Sequence, residues 1–321
     1  MHLEGIYTPV ITPFGADEAI DEPGFAALVE HLIEAGVHGI IVGGTTGEYY
    51  ALSLEERIRS FQLAQEIIHR RLPLIAGVNA LRTEEAIELG RAARAAGADA
   101  ILLGSPYYAL PTERELSGHC LAVDQAVNLP IVLYNYPARA GVGMGEEFLA
   151  RVGRSPNFCA IKESSGDINR LHLLARDYPH IQTSCGMDDQ ALEFFTWGAS
   201  SWICGASNFL PEEHLTLYRA CVVEKDFDRG RAIMCALMPL MRLLEQGGQF
   251  IQCIKYGCEL QGLPAGPVRK PLGALDEALQ RDGPTRRGSR HATRIEHARS
   301  ALRVARDRAA RNRIESSHGQ P

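Results

Sequence analysis

Short, almost continuously apolar segments alternate along the chain with longer segments in which apolar residues recur three and four positions apart. The short segments recur at intervals of roughly 20 to 34 residues, which is the size of one βα unit. Uninterrupted apolar strands are typical of parallel sheets that helices cover on the outside. The eight candidate strands are Gly5–Phe14, Gly39–Thr46, Pro73–Ala80, Ala100–Pro106, Pro130–Pro137, Phe158–Ser164, His180–Met187 and Ser201–Ser207.

Eight consecutive βα units predict an α/β fold, a (β/α)8 TIM barrel with a C-terminal helical extension. The structural alternative is a doubly wound sheet of six strands with an added domain. Three helical stretches follow the eighth strand, at about 211–223, 226–246 and 250–262, and the first of them completes the barrel. We therefore divide the chain into a barrel over 1–223, a helical layer over 224–280 and a basic tail over 281–321.

Local signals mark several helix boundaries. Ser53 and Thr83 each stand just before a glutamate-rich segment, which predicts that their hydroxyls cap the following helices. Gly36 and Gly97 each follow an alanine at the end of a helical segment, where a left-handed backbone is favoured.

Composition and charge narrow the classes of function. Apolar residues make up 45% of the chain and charged residues 22%, which is ordinary for a globular protein with a sizeable core. No segment is apolar enough to span a bilayer, and the N-terminal residues lack a signal-peptide pattern. The eight cysteines form no CxxC pair and several lie in apolar strands, so we expect reduced thiols in a cytoplasmic protein.

The charge is unevenly distributed. Residues 281–321 carry a formal charge of +7, whereas residues 1–280 carry −13. An acidic body argues against nucleic acid as the main partner. We interpret the Arg-rich tail as a solvated, partly helical or disordered segment, with an anion-binding arm as the alternative.

Lys162 is the strongest single signal of chemistry. Catalytic groups of TIM barrels lie at the C-terminal ends of the strands. Of the four lysines in the chain, only Lys162 falls within an apolar barrel strand. Burial lowers the pKa of an ammonium and yields the neutral amine that attacks a carbonyl. The alternative is a lysine paired with Glu163 at the rim, although strand alternation turns neighbouring side chains to opposite faces.

Hydroxyl groups and a guanidinium accompany Lys162 at the predicted mouth. The segment 44–48 offers backbone N–H groups and the hydroxyls of Thr45 and Thr46 to a carboxylate, and an ordinary glycine-rich turn is the alternative. The phenol of Tyr134 is able to pass a proton, although a strand-end tyrosine is more often a packed aromatic. Arg139 is able to bind a carboxylate in bidentate fashion or to be solvated.

Taken together, these residues resemble the dihydrodipicolinate synthase/N-acetylneuraminate lyase family of class I aldolases. The resemblance covers the chain from about residue 5 to residue 271. The motifs that carry it are Gly44-Thr45-Thr46-Gly47-Glu48, Ser105-Pro106-Tyr107-Tyr108, Tyr134-Asn135-Tyr136-Pro137, Ile161-Lys162-Glu163-Ser164 and Gly266-Pro267-Val268-Arg269-Lys270-Pro271.

The resemblance implies a small-molecule 2-oxo acid substrate that forms a Schiff base with Lys162, without a cofactor or a metal. It implies that Tyr134 is the acid/base and that Thr45 takes part in a proton relay. Thr45 and Thr46, with Gly47 beside them, would bind the substrate carboxylate.

The resemblance also implies a homotetramer built as a dimer of dimers. Tyr108 is the best match to a tyrosine that enters the neighbouring subunit's site. Arg139 falls where the synthases carry an arginine for the carboxylate of the second substrate. Gly186 and Ile203 would line the pocket.

Within the family, the aromatic pair Tyr49-Tyr50 departs from the small residues of the lysine-pathway synthases. The segments 158–171 and 184–189 are similar to those of the 1-pyrroline-4-hydroxy-2-carboxylate deaminases of hydroxyproline degradation. We therefore expect this chain to catalyse the deaminase reaction. The alternatives are 4-hydroxy-tetrahydrodipicolinate synthase, which Arg139 favours, and an aldolase or dehydratase of 2-keto-3-deoxy sugar acids.

Two other classes of function are weighed against this one. A metal-dependent aldolase or hydrolase needs histidines and carboxylates gathered at strand ends, but the histidines fall mostly in helices and no HExxH motif occurs. A non-catalytic regulator would bind a 2-oxo acid and use the Arg-rich tail on nucleic acid. Lys162, Tyr134 and Thr45 argue against it, because binding alone does not require an activated amine.

Overall fold

A computed structural model describes residues 1–276. Its eight strands pair in parallel, each with its neighbours in sequence, and β1 pairs with β8 to close the barrel. The predicted TIM barrel is confirmed, and the six-strand alternative is wrong. The strands are β1 Gly5–Pro9, β2 Gly39–Val42, β3 Leu74–Gly77, β4 Ala100–Gly104, β5 Ile131–Asn135, β6 Phe158–Glu163, β7 Gln182–Cys185 and β8 Ser201–Ile203.

Helices cover the outside of the barrel and continue beyond the eighth strand. The helices of the described part are α1 Glu22–Ala35, α2 Leu54–Ile68, α3 Thr83–Ala96, α4 Glu113–Val127, α5 Pro137–Ala140, α6 Glu146–Val152, α7 Ile168–Asp177, α8 Ala191–Thr196, α9 Pro211–Tyr218, α10 Phe227–Gln246 and α11 Phe250–Leu260. One π-helical turn, 219–223, extends α9. The predicted C-terminal helices are therefore present, whereas the predicted basic tail over 281–321 lies outside the described residues.

Alternate residues of each strand face two different cores. In β5, Val132 and Tyr134 belong to a cluster that fills the barrel, while Ile131 and Leu133 pack outward against the helices. Both faces of the strand are buried, which explains why the strands read as continuous apolar runs. None of the helices in residues 1–276 is long and apolar enough to cross a membrane.

The predicted helix boundaries hold at three of the four positions. Ser53 caps α2 in a capping box with Glu56, and Gly36 and Gly97 end their helices with left-handed backbones. The predicted cap at Thr83 is wrong, since Thr83 is already the first residue of α3. Its hydroxyl lies 3.0 Å from the ring of His119 in α4 instead of bonding to the helix backbone.

Candidate active site

Lys162 lies near the C-terminal end of β6, next to its last residue, Glu163. It belongs to β6, in register with Tyr134 of β5 and Ser184 of β7. Its side chain is 8% exposed, and its ammonium nitrogen lies 4.4 Å from the centre of the Tyr134 ring. Within residues 1–276 it makes no hydrogen bond or ion pair. The lysine is thus held against an aromatic face without a partner that fixes its charge.

Burial lowers the pKa of Lys162, while the negative charges of Asp188 and Glu245 oppose that change. The neighbouring Glu163 takes no part, because its carboxylate accepts from Asn135 at 2.8 and 3.0 Å and lies 3.6 Å from Arg170. Pairing of Lys162 with Glu163, the alternative drawn from the sequence, is therefore not what the structure has. A neutral amine is accessible to Lys162 at lower pH than to an exposed lysine.

The ring of Tyr134, which faces the Lys162 amine, carries a phenol hydroxyl. Burial raises the pKa of Tyr134, while a hydrogen bond with the Thr45 side chain lowers it. The phenol therefore keeps its proton at neutral pH, and Thr45 gives it a hydroxyl partner with which to exchange that proton. The amine therefore faces the ring of Tyr134, and the hydroxyl of Thr45 interacts with the phenol of the same ring.

Buried contacts hold the loop that carries Thr45 in place. Thr46 is buried, and the hydroxyl of Thr12 donates to the carbonyl of Gly47 at 2.8 Å. Glu48 ends the loop with a left-handed backbone, φ 57°, and its side chain is completely buried. Its carboxylate lies 2.6 Å from the ammonium of Lys255 in α11.

The segment 266–271, here named the C-terminal strap, holds the same loop from the outside. The backbone N–H of Arg269 donates to Glu48 at 3.0 Å, and its guanidinium binds Glu56 at the start of α2. The ring of Phe14 lies between the cations of Lys255 and Arg269, at 4.4 and 4.2 Å from its centre. The C-terminal layer therefore determines where the loop of Thr45 lies.

A cavity of about 210 Å³ opens beside Tyr134, and five of its eleven lining residues are tyrosines. Arg139 enters it with its guanidinium 5.3 Å from the centre of the Tyr136 ring. Burial raises the pKa of Tyr49 to about 12, so this tyrosine is a neutral donor at neutral pH. The residues that line this cavity are Thr45, Tyr49, Tyr50, Asn79, Gly104, Ser105, Tyr107, Tyr134, Tyr136, Arg139 and Ala140.

A larger cavity, about 780 Å³, opens at the opposite end of the barrel, near Met1, Gln182 and Trp197. It contains none of the predicted site residues. The catalytic groups of TIM barrels lie at the C-terminal ends of the strands. We therefore place the candidate site at the end where the smaller cavity opens, which Thr45, Tyr134 and Arg139 line and where Lys162, outside that lining, lies against the Tyr134 ring.

The other predicted site residues have different positions. A Cβ atom on Gly186 would lie 2.8 Å from Cγ of Lys162, so only glycine fits against the lysine stem. Ile203 is buried inside the barrel. Tyr108 is 92% exposed and does not line the cavity of its own chain, whereas Tyr107 does.

Two carboxyl groups near Lys162 were missed by the sequence analysis. Asp188 follows β7 and is completely buried, and it accepts from the indole of Trp202 at 3.0 Å. Glu245 at the end of α10 accepts from the backbone N–H of Asp188 at 3.1 Å. Burial raises the pKa of both carboxyls. Among residues 1–276, no three His, Cys, Asp or Glu side chains come close enough together to hold a metal ion.

Comparison with known proteins agrees with this geometry. Residues 2–283 match the model of the dihydrodipicolinate synthetase family. The chain is 37% identical over 280 residues to the 4-hydroxy-tetrahydrodipicolinate synthase of Methanoculleus marisnigri, covering 86% of this chain and 95% of that protein. It is 38% identical over 285 residues to the synthase of Hyphomonas neptunium, covering 87% and 95%.

Solved structures agree as well. The 4-hydroxy-tetrahydrodipicolinate synthase of Methylacidiphilum fumariolicum superposes with a TM-score of 0.87 at 31% identity, over 95% of this chain and 99% of that chain. The dihydrodipicolinate synthase of Acinetobacter baumannii, solved with pyruvate, superposes with a TM-score of 0.82 at 31% identity, over 95% and 99%. The chain therefore belongs to the dihydrodipicolinate synthetase family of class I aldolase-type lyases.

Proposed function

We propose that the enzyme binds a 2-oxo acid as a Schiff base on Lys162 and condenses the resulting enamine with an aldehyde, as 4-hydroxy-tetrahydrodipicolinate synthases do. The observation that carries the proposal is the buried amine of Lys162, which has no ion-pair or hydrogen-bond partner among residues 1–276 and lies against the ring of Tyr134. Curated relatives at 37% and 38% identity bear the synthase name, which supports this reaction above the deaminase that the sequence first suggested.

The proposed chemistry starts with attack of the neutral Lys162 amine on the C2 carbonyl of pyruvate. Tyr134 donates a proton to the carbonyl oxygen, which leaves as water when the iminium forms. Loss of a proton from C3 gives the enamine, and Thr45 passes the proton onward. The hydroxyls of Thr45 and Thr46 hold the carboxylate of pyruvate.

The enamine carbon C3 then attacks the aldehyde carbon, and the aldehyde oxygen takes up a proton and becomes a hydroxyl group at C4. The amino group of aspartate semialdehyde displaces Lys162 from C2 and closes the ring. Arg139 lines the adjacent cavity beside Tyr136, which suits the carboxylate of that second substrate.

A second candidate is the 1-pyrroline-4-hydroxy-2-carboxylate deaminase. The cavity is only about 210 Å³ and is narrowed by Tyr49 and Tyr50, which favours a compact cyclic substrate. In this reaction Lys162 displaces the ring nitrogen from C2. A proton then leaves C3 and the hydroxyl group leaves C4, so that water is lost. Hydrolysis finally yields 2-oxoglutarate semialdehyde and ammonia.

A homotetramer and a cytoplasmic location belong to the same proposal. Tyr108 projects into solvent with a left-handed backbone, φ 67°, so it is available to a neighbouring subunit. In the assembled enzyme it completes the site of that neighbour, next to Tyr107 of the neighbour's own cavity. Sedimentation of the wild type and of Tyr108→Ser tests the assembly.

Borohydride trapping tests the central proposal. The protein is incubated with pyruvate or with 1-pyrroline-4-hydroxy-2-carboxylate, reduced, and digested for peptide mass analysis. A mass increase on the peptide that contains Lys162 supports the Schiff base. Turnover of pyruvate with aspartate semialdehyde supports the synthase, turnover of the pyrroline alone supports the deaminase, and folded protein without an adduct refutes both.

A further inference from the structure

The amide of Asn79 lies in the wall of the cavity beside Tyr134. Asn79 comes shortly after β3 and is 4% exposed, and its side-chain oxygen accepts from the backbone N–H of Gly104 at 2.5 Å. Because a backbone N–H only donates, this contact identifies the oxygen end of the amide. The nitrogen end offers two N–H donors, and within residues 1–276 no acceptor binds them. The side chain is therefore anchored through its oxygen and has its N–H groups left for a ligand.

Gly104, the last residue of β4, makes the room that this amide needs. A Cβ atom on Gly104 would lie 3.1 Å from the oxygen and 3.5 Å from the nitrogen of the Asn79 amide. The next residue, Ser105, is buried and lines the same cavity, and its hydroxyl has no hydrogen-bond partner in the described part of the chain. Most buried polar groups of folded proteins have partners. Two side chains with unused polar groups at neighbouring strand ends therefore indicate a polar ligand.

The charges around the cavity indicate the class of that ligand. Asn79, Ser105 and Arg139 follow the three consecutive strands β3, β4 and β5. None of the eleven lining residues is an aspartate or a glutamate, and among residues 1–276 no carboxylate pairs with the guanidinium of Arg139. Unused N–H donors beside a guanidinium favour the oxygens of a carboxylate.

The position and the size of the cavity narrow the choice further. Thr45 and Tyr134 also line it, and the ring of Tyr134 lies against the amine of Lys162. A ligand of the cavity is therefore close to the group on which the proposed Schiff base forms. The volume of about 210 Å³ is below the roughly 300 Å³ at which cavities for drug-sized ligands begin. A short aldehyde that bears a carboxylate has the size and the charge that this cavity accepts.

We propose that Asn79 is a specificity-determining residue that donates a hydrogen bond to the carboxylate of the aldehyde substrate. The inference rests on the proposed function, in which an aldehyde condenses with the enamine on Lys162 and Arg139 binds its carboxylate. Arg139 supplies the charge, and Asn79, anchored on the backbone of β4, fixes the place of the carboxylate. An aldehyde with an alkyl end leaves both groups unpaired, and a site built for a polar group rejects such an analogue.

The test compares succinate semialdehyde with butanal, in which a methyl group replaces the carboxylate. Each aldehyde is condensed with pyruvate, and kcat/KM is measured for release of the open-chain 4-hydroxy-2-oxo acid. We expect the wild type to prefer succinate semialdehyde at least about a hundredfold. Asn79→Leu removes the donors without adding a charge. It should reduce the preference about tenfold, as one hydrogen bond to a charged group allows.

A second variant, Asn79→Asp, separates the ligand contact from the structural one. It keeps an oxygen that accepts from Gly104, but it replaces the donors by an oxygen that repels a carboxylate. The preference should therefore fall further than in Asn79→Leu. Asn128→Asp is the matched control, because Asn128 is exposed before β5, at the opposite end of the barrel, and also accepts through its side-chain oxygen, from Asn157 at 3.4 Å. This control should keep the preference of the wild type.

The preference is a ratio within each variant, so a partial loss of folded protein does not change it. A preference kept in both Asn79 variants, or lost only in Asn79→Asp, would overturn the hydrogen bond and leave the proposed function intact. An equal loss in Asn128→Asp would overturn it as well. Pyruvate adducts on Lys162 are trapped with borohydride in the same samples. Absence of the adduct, or an adduct that condenses with neither aldehyde, would overturn the proposed function and this inference together.

Discussion

The ammonium nitrogen of Lys255 lies 2.6 Å from a carboxylate oxygen of Glu48, with both side chains buried. Lys162 is buried to a similar degree, but within residues 1–276 it has no such partner. Burial lowers the pKa of both lysines, but at Lys255 the carboxylate of Glu48 opposes that change through a direct contact. The two buried lysines therefore divide structure and chemistry between them.

Lys255→Met should destabilise the fold strongly. It leaves the buried carboxylate of Glu48 without its cation, which typically costs about 3–5 kcal/mol. Denaturant unfolding measures the loss. Lys270→Met is the matched control, because this lysine is 88% exposed and 3.9 Å from Glu18 and should change stability by less than about 1 kcal/mol. Equal losses in the two variants would contradict the structural role of Lys255.

Lys162→Met should abolish activity without lowering the stability of the fold. The variant removes a buried amine that has no partner in the described part of the chain, so the free energy of unfolding should stay the same or rise. Activity and borohydride adducts should both disappear, because the nucleophile is gone. If this variant unfolded as readily as Lys255→Met, Lys162 would have a structural partner that the present geometry does not contain.

Tyr134→Phe should reduce kcat by about 10²–10⁴, the usual contribution of a positioned acid/base, and leave KM for pyruvate almost unchanged. Thr45→Val should lower kcat by less, since the phenol stays, but should also raise KM for pyruvate, since a hydroxyl that holds its carboxylate is lost. Steady-state kinetics measures both. Tyr256→Phe, in α11 and away from the cavity, is the control and should behave as the wild type.

Gly186→Ala should impair catalysis more than folding. The added Cβ would lie 2.0 Å from the hydroxyl of Ser164 and 2.8 Å from Cγ of Lys162, so the lysine stem must move. A shift of about 1 Å at a reacting group costs on the order of 10²-fold in rate. Gly273→Ala adds a Cβ with no heavy atom within 4 Å and should be neutral. Unchanged kcat in Gly186→Ala would show that Lys162 tolerates the displacement.

Glu245 should make the stability of the protein depend on pH. The pKa of its carboxyl is raised in the folded state, so its contribution is fully present below the ordinary glutamate pKa and is lost as the pH rises through the raised value. Glu245→Gln cannot ionise and escapes this loss. The Tm of the variant minus that of the wild type should therefore increase from about pH 5 to pH 9. A difference that does not vary with pH would mean that Glu245 titrates normally.

The fold was predictable because parallel strands covered on both faces leave an uninterrupted apolar signal. The ends of the strands were harder to predict. The first strand was predicted over 5–14, but β1 ends at Pro9, since Val10, Ile11 and Phe14 are buried in a loop beneath the C-terminal layer. Burial of a loop gives the same apolar pattern as a strand.

The site was predictable only where the chemistry stands in a motif. Lys162 and Tyr134 lie within strands and are identified by type and position. Asp188 and Glu245 reach Lys162 from elements far apart in the sequence, and no local pattern joins them. One signal was available: Glu245 follows Leu237 and Met241 at helical spacing, which places a carboxyl in the apolar stripe of α10.

The hydrogen bond from Arg269 to Glu48 spans 221 positions of the sequence. The loop of Thr45 emerges early from the ribosome, whereas the C-terminal strap that holds it emerges after all eight strands. Contacts across so long a span form late, because the intervening chain must first be ordered. A nascent chain can therefore complete its barrel while the loop of Thr45 is still unsupported, so the proposed site should become ordered only after the C-terminal strap has docked.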